Sequence, residues 1–156
     1  MSRFLHLYEE SEMPPQLWQQ AVQNAIRGKR GQKVLRELRE ALLALPHKRL
    51  IRGYLVHEGE VCVVGALVRS RLESGPVPIP DYYCAKTSVS SLAEMEEALW
   101  QWLDLDTMTL EIGEKLGLTQ ALVCALAVEN DEEGPAKETP EQRYERILRW
   151  VERNLH

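Results

Sequence analysis

Apolar residues recur at helical intervals through the first third of the chain. In segment 14–28, apolar pairs fall four positions apart, so they form one stripe of an amphipathic helix. Segment 31–46 repeats this pattern and is stopped by Pro46. The Gly-Lys-Arg-Gly sequence at 28–31 is predicted to be a turn across which the two helices pack as an antiparallel pair.

Helix-start signals precede further periodic segments in the second half of the chain. Ser91 and Glu94 have capping-box spacing, and so do Thr139 and Gln142, with a proline at the first helical position. The predicted N-caps are Ser91, either Asp106 or Thr107, Thr119 and Thr139. These patterns predict an all-α protein, mainly helical, with about six to seven helices.

The stretch 49–71 is ambiguous. Its apolar run 61–64 favours a buried strand, but the run continues to Arg71 without a turn signal, and no convincing partner strand is found elsewhere. A buried helix is therefore the preferred interpretation, with a short β element within 49–64 as the alternative.

Three prolines within residues 76–80 forbid a helix there. The length of the chain suits one domain. We predict a single globular domain over residues 1–156, in which a Pro-rich loop at 73–90 joins two helical halves, about 1–72 and 91–156.

Charge and composition narrow the class of protein. Residues 1–75 carry 12 Lys and Arg against 8 Asp and Glu, whereas residues 76–156 carry 7 against 16, so the halves have opposite net charge. No segment has the roughly 20 apolar residues of a membrane span, and the N-terminal residues lack a long apolar run. Three widely spaced cysteines indicate reduced thiols. The expected location is the cytoplasm, with no membrane partner.

Enzyme chemistry finds little support in the sequence. The four histidines lack metal-binding spacing, and no phosphate-binding loop or nucleophile elbow is present. Cys62 lies near His57 and Glu58, but a cysteine inside an apolar run is more often a core residue than a nucleophile. We predict no catalytic residue, no metal site and no cofactor.

Segment 112–126 has the rhythm of a DNA-binding helix-turn-helix. The positions that would face DNA are Thr119, Gln120, Ala121, Cys124 and Ala125. No Lys or Arg occurs from Leu116 through Ala136, and the acidic run 129–133 would repel phosphates. The pattern therefore favours two helices arranged as in this motif that do not bind DNA.

Basic residues gather instead at 27–39. Glu37 and Glu40 interleave with them, so a solvated helix face is the simpler interpretation, and a charged rim for a protein or nucleic acid is the alternative. The candidate partner-binding residues in this segment are Arg27, Lys29, Arg30, Lys33 and Arg36.

Four blocks of sequence stand out in combination: AIRGKRGQKVLRELREALLALPHKRLI, GEVCVVGAL, VENDEEG and TPEQRYERILRWV. Together they resemble a family of small uncharacterised helical proteins encoded by tailed phages and prophages. The resemblance implies a mainly helical fold, no assigned catalytic residues and a setting in the bacterial host cytoplasm.

Aromatic residues cluster around the Pro-rich loop, and such residues beside polar ones are typical interface anchors. They are Tyr82, Tyr83, Trp100 and Trp102. Tyr82 and Tyr83 are the candidate partner contacts, whereas core packing is preferred for Trp102. We expect a non-enzymatic phage accessory protein that inhibits or redirects a host complex, for example a defence complex, by protein–protein interaction. The alternative is a nucleic-acid-binding regulator that uses segment 27–39 or 107–128.

Overall fold

The structure, a computed structural model, describes residues 14–80, 86–101 and 105–156, and most of them are helical. Its helices are α1 (Pro15–Arg27), α2 (Lys29–Leu43), α3 (Val63–Ser74), α4 (Leu92–Leu99), α5 (Leu105–Lys115), α6 (Gln120–Asp131) and α7 (Pro140–Asn154). Two antiparallel pairs of short strands accompany them: β1 (Val56–His57) with β2 (Glu60–Val61), and β3 (Val77–Pro78) with β4 (Ser88–Val89). The predicted all-α class with a short β element in 49–64 is confirmed.

A sharp corner at Gly28 separates α1 from α2. Gly28 has extended dihedral angles (φ −65°, ψ 161°), and α2 begins at the next residue, Lys29. The prediction of a four-residue turn at 28–31 is therefore wrong. Gly31 serves packing instead, because a Cβ atom there would lie 1.7 Å from the carbonyl oxygen of Ala25. Its missing side chain lets the first turn of α2 lie against the end of α1.

A hairpin formed by β1 and β2 lies inside the ambiguous stretch 49–71. Glu58 and Gly59 occupy its turn with φ angles of 51° and 80°, the left-handed values that two-residue hairpin turns require. The partner strand is therefore local, and it was missed because Glu-Gly is a weaker turn signal than Asn-Gly. The preferred buried helix is correct only from Val63 onwards, where α3 begins with Cys62 as its N-cap.

The prolines within the predicted loop 73–90 alternate with apolar residues, and this alternation permits a short strand. Val77 and Ile79 are buried, and Val77 pairs with Val89. The amide of Ile79 donates to the carbonyl oxygen of Thr87 at 2.9 Å. Because a strand needs donors toward its neighbour only at alternate positions, prolines at the other positions are tolerated.

Side-chain caps fix the starts of three helices in the second half. The hydroxyl oxygens of Ser91, Thr119 and Thr139 accept hydrogen bonds from amides three residues later, at 3.1, 3.2 and 3.1 Å. These three predicted caps are confirmed, and the capping box at Thr139 is complete. The prediction that Asp106 or Thr107 is an N-cap is wrong, since both residues lie within α5.

One hydrophobic core draws on helices from both ends of the chain. Its most deeply buried side chains include Leu35, Leu38 and Leu42 of α2 and Ile147 and Val151 of α7. Helix α2 packs against α3 and α7, and α6 packs against α1, α3 and α5. Of the helices that the structure describes, none has the length and apolar character to cross a lipid bilayer.

Candidate functional site

The tyrosines predicted to contact a partner, Tyr82 and Tyr83, fall within residues 81–85 and lie outside the described residues. Trp102, for which core packing was preferred, also lies outside them. Trp100 is described, and 69% of its surface is exposed. Trp100 is therefore not a core residue, and its ring is available to a partner.

The predicted basic contact residues all lie on the surface, at the end of α1 and along α2. They are Arg27, Lys29, Arg30, Lys33 and Arg36. The spacing of Lys29, Lys33 and Arg36 places these three on one side of α2. Arg30 also ties α2 to the turn before α6, because its Nε donates to the carbonyl oxygen of Gly117 at 2.9 Å.

The helix-turn-helix rhythm corresponds to α5, a turn at Gly117 with φ of 86°, and α6. Thr119 and Gln120 are exposed at the start of α6. The predicted exposure of Cys124 is wrong, because α1 covers it: Cys124 is buried and packs against Trp18. A helix cannot enter the major groove with a face that its own domain covers.

The acidic run at the end of α6 contains a buried amide, that of Asn130. Its Oδ1 accepts from the amide of Val63 at 3.1 Å, and its Nδ2 donates to the carbonyl oxygen of Ile51 at 3.0 Å. The neighbouring Asp131 accepts from Asn130 Nδ2 at 2.8 Å and from the amide of Gly53 at 3.3 Å. The run therefore joins α6 to the segment before β1 and to the start of α3.

Ion pairs extend these contacts to α7, and we call Asn130, Asp131, Glu138, Arg143 and Arg146 together the polar cluster. Arg146 donates to both carboxylate oxygens of Glu138, at 2.6 and 3.0 Å, and to the backbone oxygen of Glu129 at 2.7 Å. Arg143 Nε lies 3.3 Å from Glu138 Oε1, and its guanidinium donates to the carbonyl oxygen of Leu50 at 2.9 Å. The hydrogen bond from Arg146 lowers the pKa of Glu138, whereas burial raises the pKa of Glu129. Such mutual pairing is typical of a structural network.

Cys62 and His57 have separate structural roles. Cys62 caps α3, its Sγ accepting from the amide of Gly65 at 3.5 Å. The ring of His57 instead stacks on the ring of Tyr54. Within the described ranges, no group of three or more His, Cys, Asp and Glu side chains is arranged to hold a metal ion.

Three aromatic rings form a row across the hairpin and the end of α4. The ring centroids of Tyr54 and His57 lie 4.9 Å apart, and those of His57 and Trp100 lie 6.3 Å apart. Tyr54 is 46% exposed and Trp100 is 69% exposed. We call Tyr54, His57 and Trp100 the aromatic row; the packing of α4 against β1 holds it together.

A shallow cleft of about 390 Å³ opens beside Trp100. Its other lining residues are Glu58 and Gly59 from the hairpin and Ala93, Glu96 and Glu97 from α4. We call Glu58, Glu96 and Glu97 the acidic rim. The hairpin and α4 thus bring three carboxylates and an indole ring to one opening.

A second cleft, of about 510 Å³, lies between α1, α6 and α7, with Trp18, Val22 and Trp150 among its apolar lining residues. Glu129 lines it too, but its carboxylate Oε1 lies 3.3 Å from Arg146. Binding sites combine apolar walls with a few converging polar groups that fix a ligand. The first cleft supplies the converging polar groups, since three carboxylates meet there beside the exposed indole ring of Trp100.

The chain matches no family model, no curated protein sequence and no solved structure. The function proposed below therefore rests on the arrangement of the side chains described above. Sequence reasoning singled out Trp100 but missed Tyr54 and His57 as its neighbours, because their proximity depends on the hairpin. The Glu58-Gly59 pair between two apolar positions was the signal that could have located that hairpin.

Proposed function

We propose that this protein is a non-enzymatic interaction module that binds another protein through the aromatic row. The observation that carries the proposal is the exposure of Trp100 beside the stacked rings of Tyr54 and His57. Large aromatic side chains normally bury most of their surface. Rings that lie exposed side by side are typical anchors of protein interfaces.

The anchoring of the row in the hydrophobic core also supports this function. His57 belongs to β1, and the preceding residue, Val56, is buried in the core. Leu99, which precedes Trp100, is buried as well. Rings mounted on a fixed scaffold lose little conformational freedom when a partner binds, so more of the contact energy contributes to affinity.

The proposed setting is a tailed phage or prophage, with the protein inhibiting or redirecting a host complex in the bacterial cytoplasm. Its support is the resemblance of the four sequence blocks. Residues from three of these blocks, among them Val63, Asn130 and Arg146, meet at the polar cluster. The aromatic row lies between the blocks in sequence. The resemblance therefore concerns residues that hold the fold together, and it does not identify the partner that the aromatic row binds.

A pull-down of the tagged protein from bacterial lysate tests this function, with nuclease treatment and high-salt washes. The variants are Trp100→Ala and Tyr54→Ala, and the matched control is Leu17→Ala, which removes a side chain that is 58% exposed on α1. We expect a stoichiometric companion protein that the wild type and the control retain and that Trp100→Ala loses. A companion retained by both row variants would show that the row is not the docking site.

The second candidate function is nucleic-acid binding through the basic face of α2. It is favoured by one observation: Glu37, expected from the sequence to neutralise this face, forms a salt bridge with Arg71 of α3 instead. Binding through Lys29, Lys33 and Arg36 should fall steeply with salt concentration. Replacing these three residues with Gln should weaken binding for all sequences alike and flatten the salt dependence.

A further inference from the structure

The acidic rim and Trp100, the outermost ring of the aromatic row, border the same cleft, and both favour a cation. Glu58, Glu96 and Glu97 bring three carboxylates to an opening whose wall includes Trp100. The face of an indole ring carries the negative part of the ring quadrupole and attracts positive charge. Negative potential in this cleft therefore has two independent sources.

The carboxylates of the acidic rim have no Lys or Arg within ion-pair distance among the described residues. Acidic residues close to them in sequence are paired: Glu60 lies 3.8 Å from Arg49, and Glu94 lies 3.9 Å from Lys86. Within the rim, Glu58 has His57 at 4.0 Å. Three like charges around one cleft repel one another, and a bound cation would relieve that repulsion.

The C-terminus of α4 adds a third source of negative potential. Trp100 is the C-cap of this helix, and its last turn contains no basic residue. Carbonyl oxygens at a helix C-terminus carry partial negative charge, which a cation stabilises. Glu96 and Glu97 lie in that last turn, so their carboxylates and the helix end act in the same direction.

We infer that this cleft receives an arginine side chain from a basic segment of the partner protein, an inference that rests on the proposed function. The planar guanidinium of arginine can stack on an aromatic face while it donates two hydrogen bonds to carboxylates. A cleft of about 390 Å³ has room for one such side chain with its aliphatic stem. The acidic rim repels phosphate, so nucleic acid does not bind at this cleft.

Isothermal titration calorimetry of the 156-residue chain tests the inference with two capped peptides. One alternates glycine and arginine over six residues, and the other replaces each arginine with citrulline, which keeps the shape and removes the charge. We expect saturable binding of the arginine peptide that weakens with salt, and no detectable binding of the citrulline peptide.

Two surface variants separate the ring from the carboxylates. Trp100→Ala should weaken binding of the arginine peptide about tenfold. Glu96→Gln combined with Glu97→Gln should weaken it by about the same factor and flatten its salt dependence. The control is Glu145→Gln, which removes an exposed charge on α7 and should leave the affinity unchanged. Circular dichroism confirms that each variant is folded.

Equal binding of the two peptides, or an unchanged affinity in the double glutamine variant, would overturn the inference. If the arginine peptide does not bind while the pull-down still depends on Trp100, the proposed function stands and the arginine receptor is wrong. If neither measurement depends on Trp100, the proposed function and the arginine receptor both fail.

Discussion

Replacing Asn130 with alanine should cost the protein much of its stability. The side chain is 1% exposed and satisfies the amide of Val63 and the carbonyl oxygen of Ile51. Each buried group that loses its only partner costs about 1–3 kcal/mol. Two such groups give a loss of about 2–6 kcal/mol, a large part of the about 5–15 kcal/mol that a domain of this kind has in total.

Urea unfolding followed by circular dichroism measures this loss, and a thermal scan provides a second estimate. A loss of about 3 kcal/mol should lower the melting temperature by about 6–12 °C in a chain of this length. The control is Asn24→Ala, which removes an exposed amide that accepts from Gln20 at 2.9 Å, and it should change stability by less than about 0.5 kcal/mol. A loss below about 1 kcal/mol for Asn130→Ala would refute the view that this amide organises the polar cluster.

Asn130→Asp gives a sharper version of the same test. The aspartate keeps an acceptor for the amide of Val63 but loses the donor to Ile51. It also places a second carboxylate beside Asp131, whose Oδ1 now accepts from the Asn130 amide at 2.8 Å. Because protonation removes that repulsion, the destabilisation should be larger at neutral pH than at acidic pH.

Three further predictions concern the hairpin, the ion pairs and the Pro-rich loop. Glu58→Asn should stabilise the protein by about 1 kcal/mol, because asparagine tolerates positive φ better than glutamate does. The same substitution should weaken binding of the arginine peptide. An unchanged free energy of unfolding in urea would contradict the first expectation. The pKa of Glu138 is lowered, mainly by its hydrogen bond from an arginine, so its contribution to stability is present at neutral pH and lost as pH falls through that pKa. Glu138→Gln should therefore be most destabilising at neutral pH, and Glu129→Gln, which removes a group whose pKa is raised by burial, should cost less. Replacing Tyr82 and Tyr83 with Ala should abolish partner capture without unfolding the domain.

Local signals were sufficient to predict most of the helices. The caps Thr119 and Thr139 and the apolar stripe of α1 depend only on residues three or four positions apart. Such interactions are formed within one element, so one sequence reveals them. Contacts between two elements are not revealed in this way. This explains the error at Gly31, because its close approach to Ala25 depends on how α1 and α2 cross.

The candidate site was harder to predict, since it depends on contacts between distant segments. Tyr54 and Trp100 are 46 positions apart in sequence, and only the packing of α4 against β1 brings them near each other. The acidic rim also joins the turn residue Glu58 to the last turn of α4. In the sequence, Glu58 stands beside His57 and near Cys62, and nothing there links it to Glu96 and Glu97.

Three features near the aromatic row each lower the stability of the unbound protein. Trp100 leaves a large apolar surface in water, Glu58 has positive φ, and the rim crowds carboxylates without a lysine or arginine partner among the described residues. By contrast, the buried Asn130 has hydrogen-bond partners, and Arg146 and Glu138 form an ion pair. Several destabilising features at one place are expected at a functional site, where binding requires residues that do not stabilise the free protein. Their coincidence at one cleft is the reason to expect a partner there.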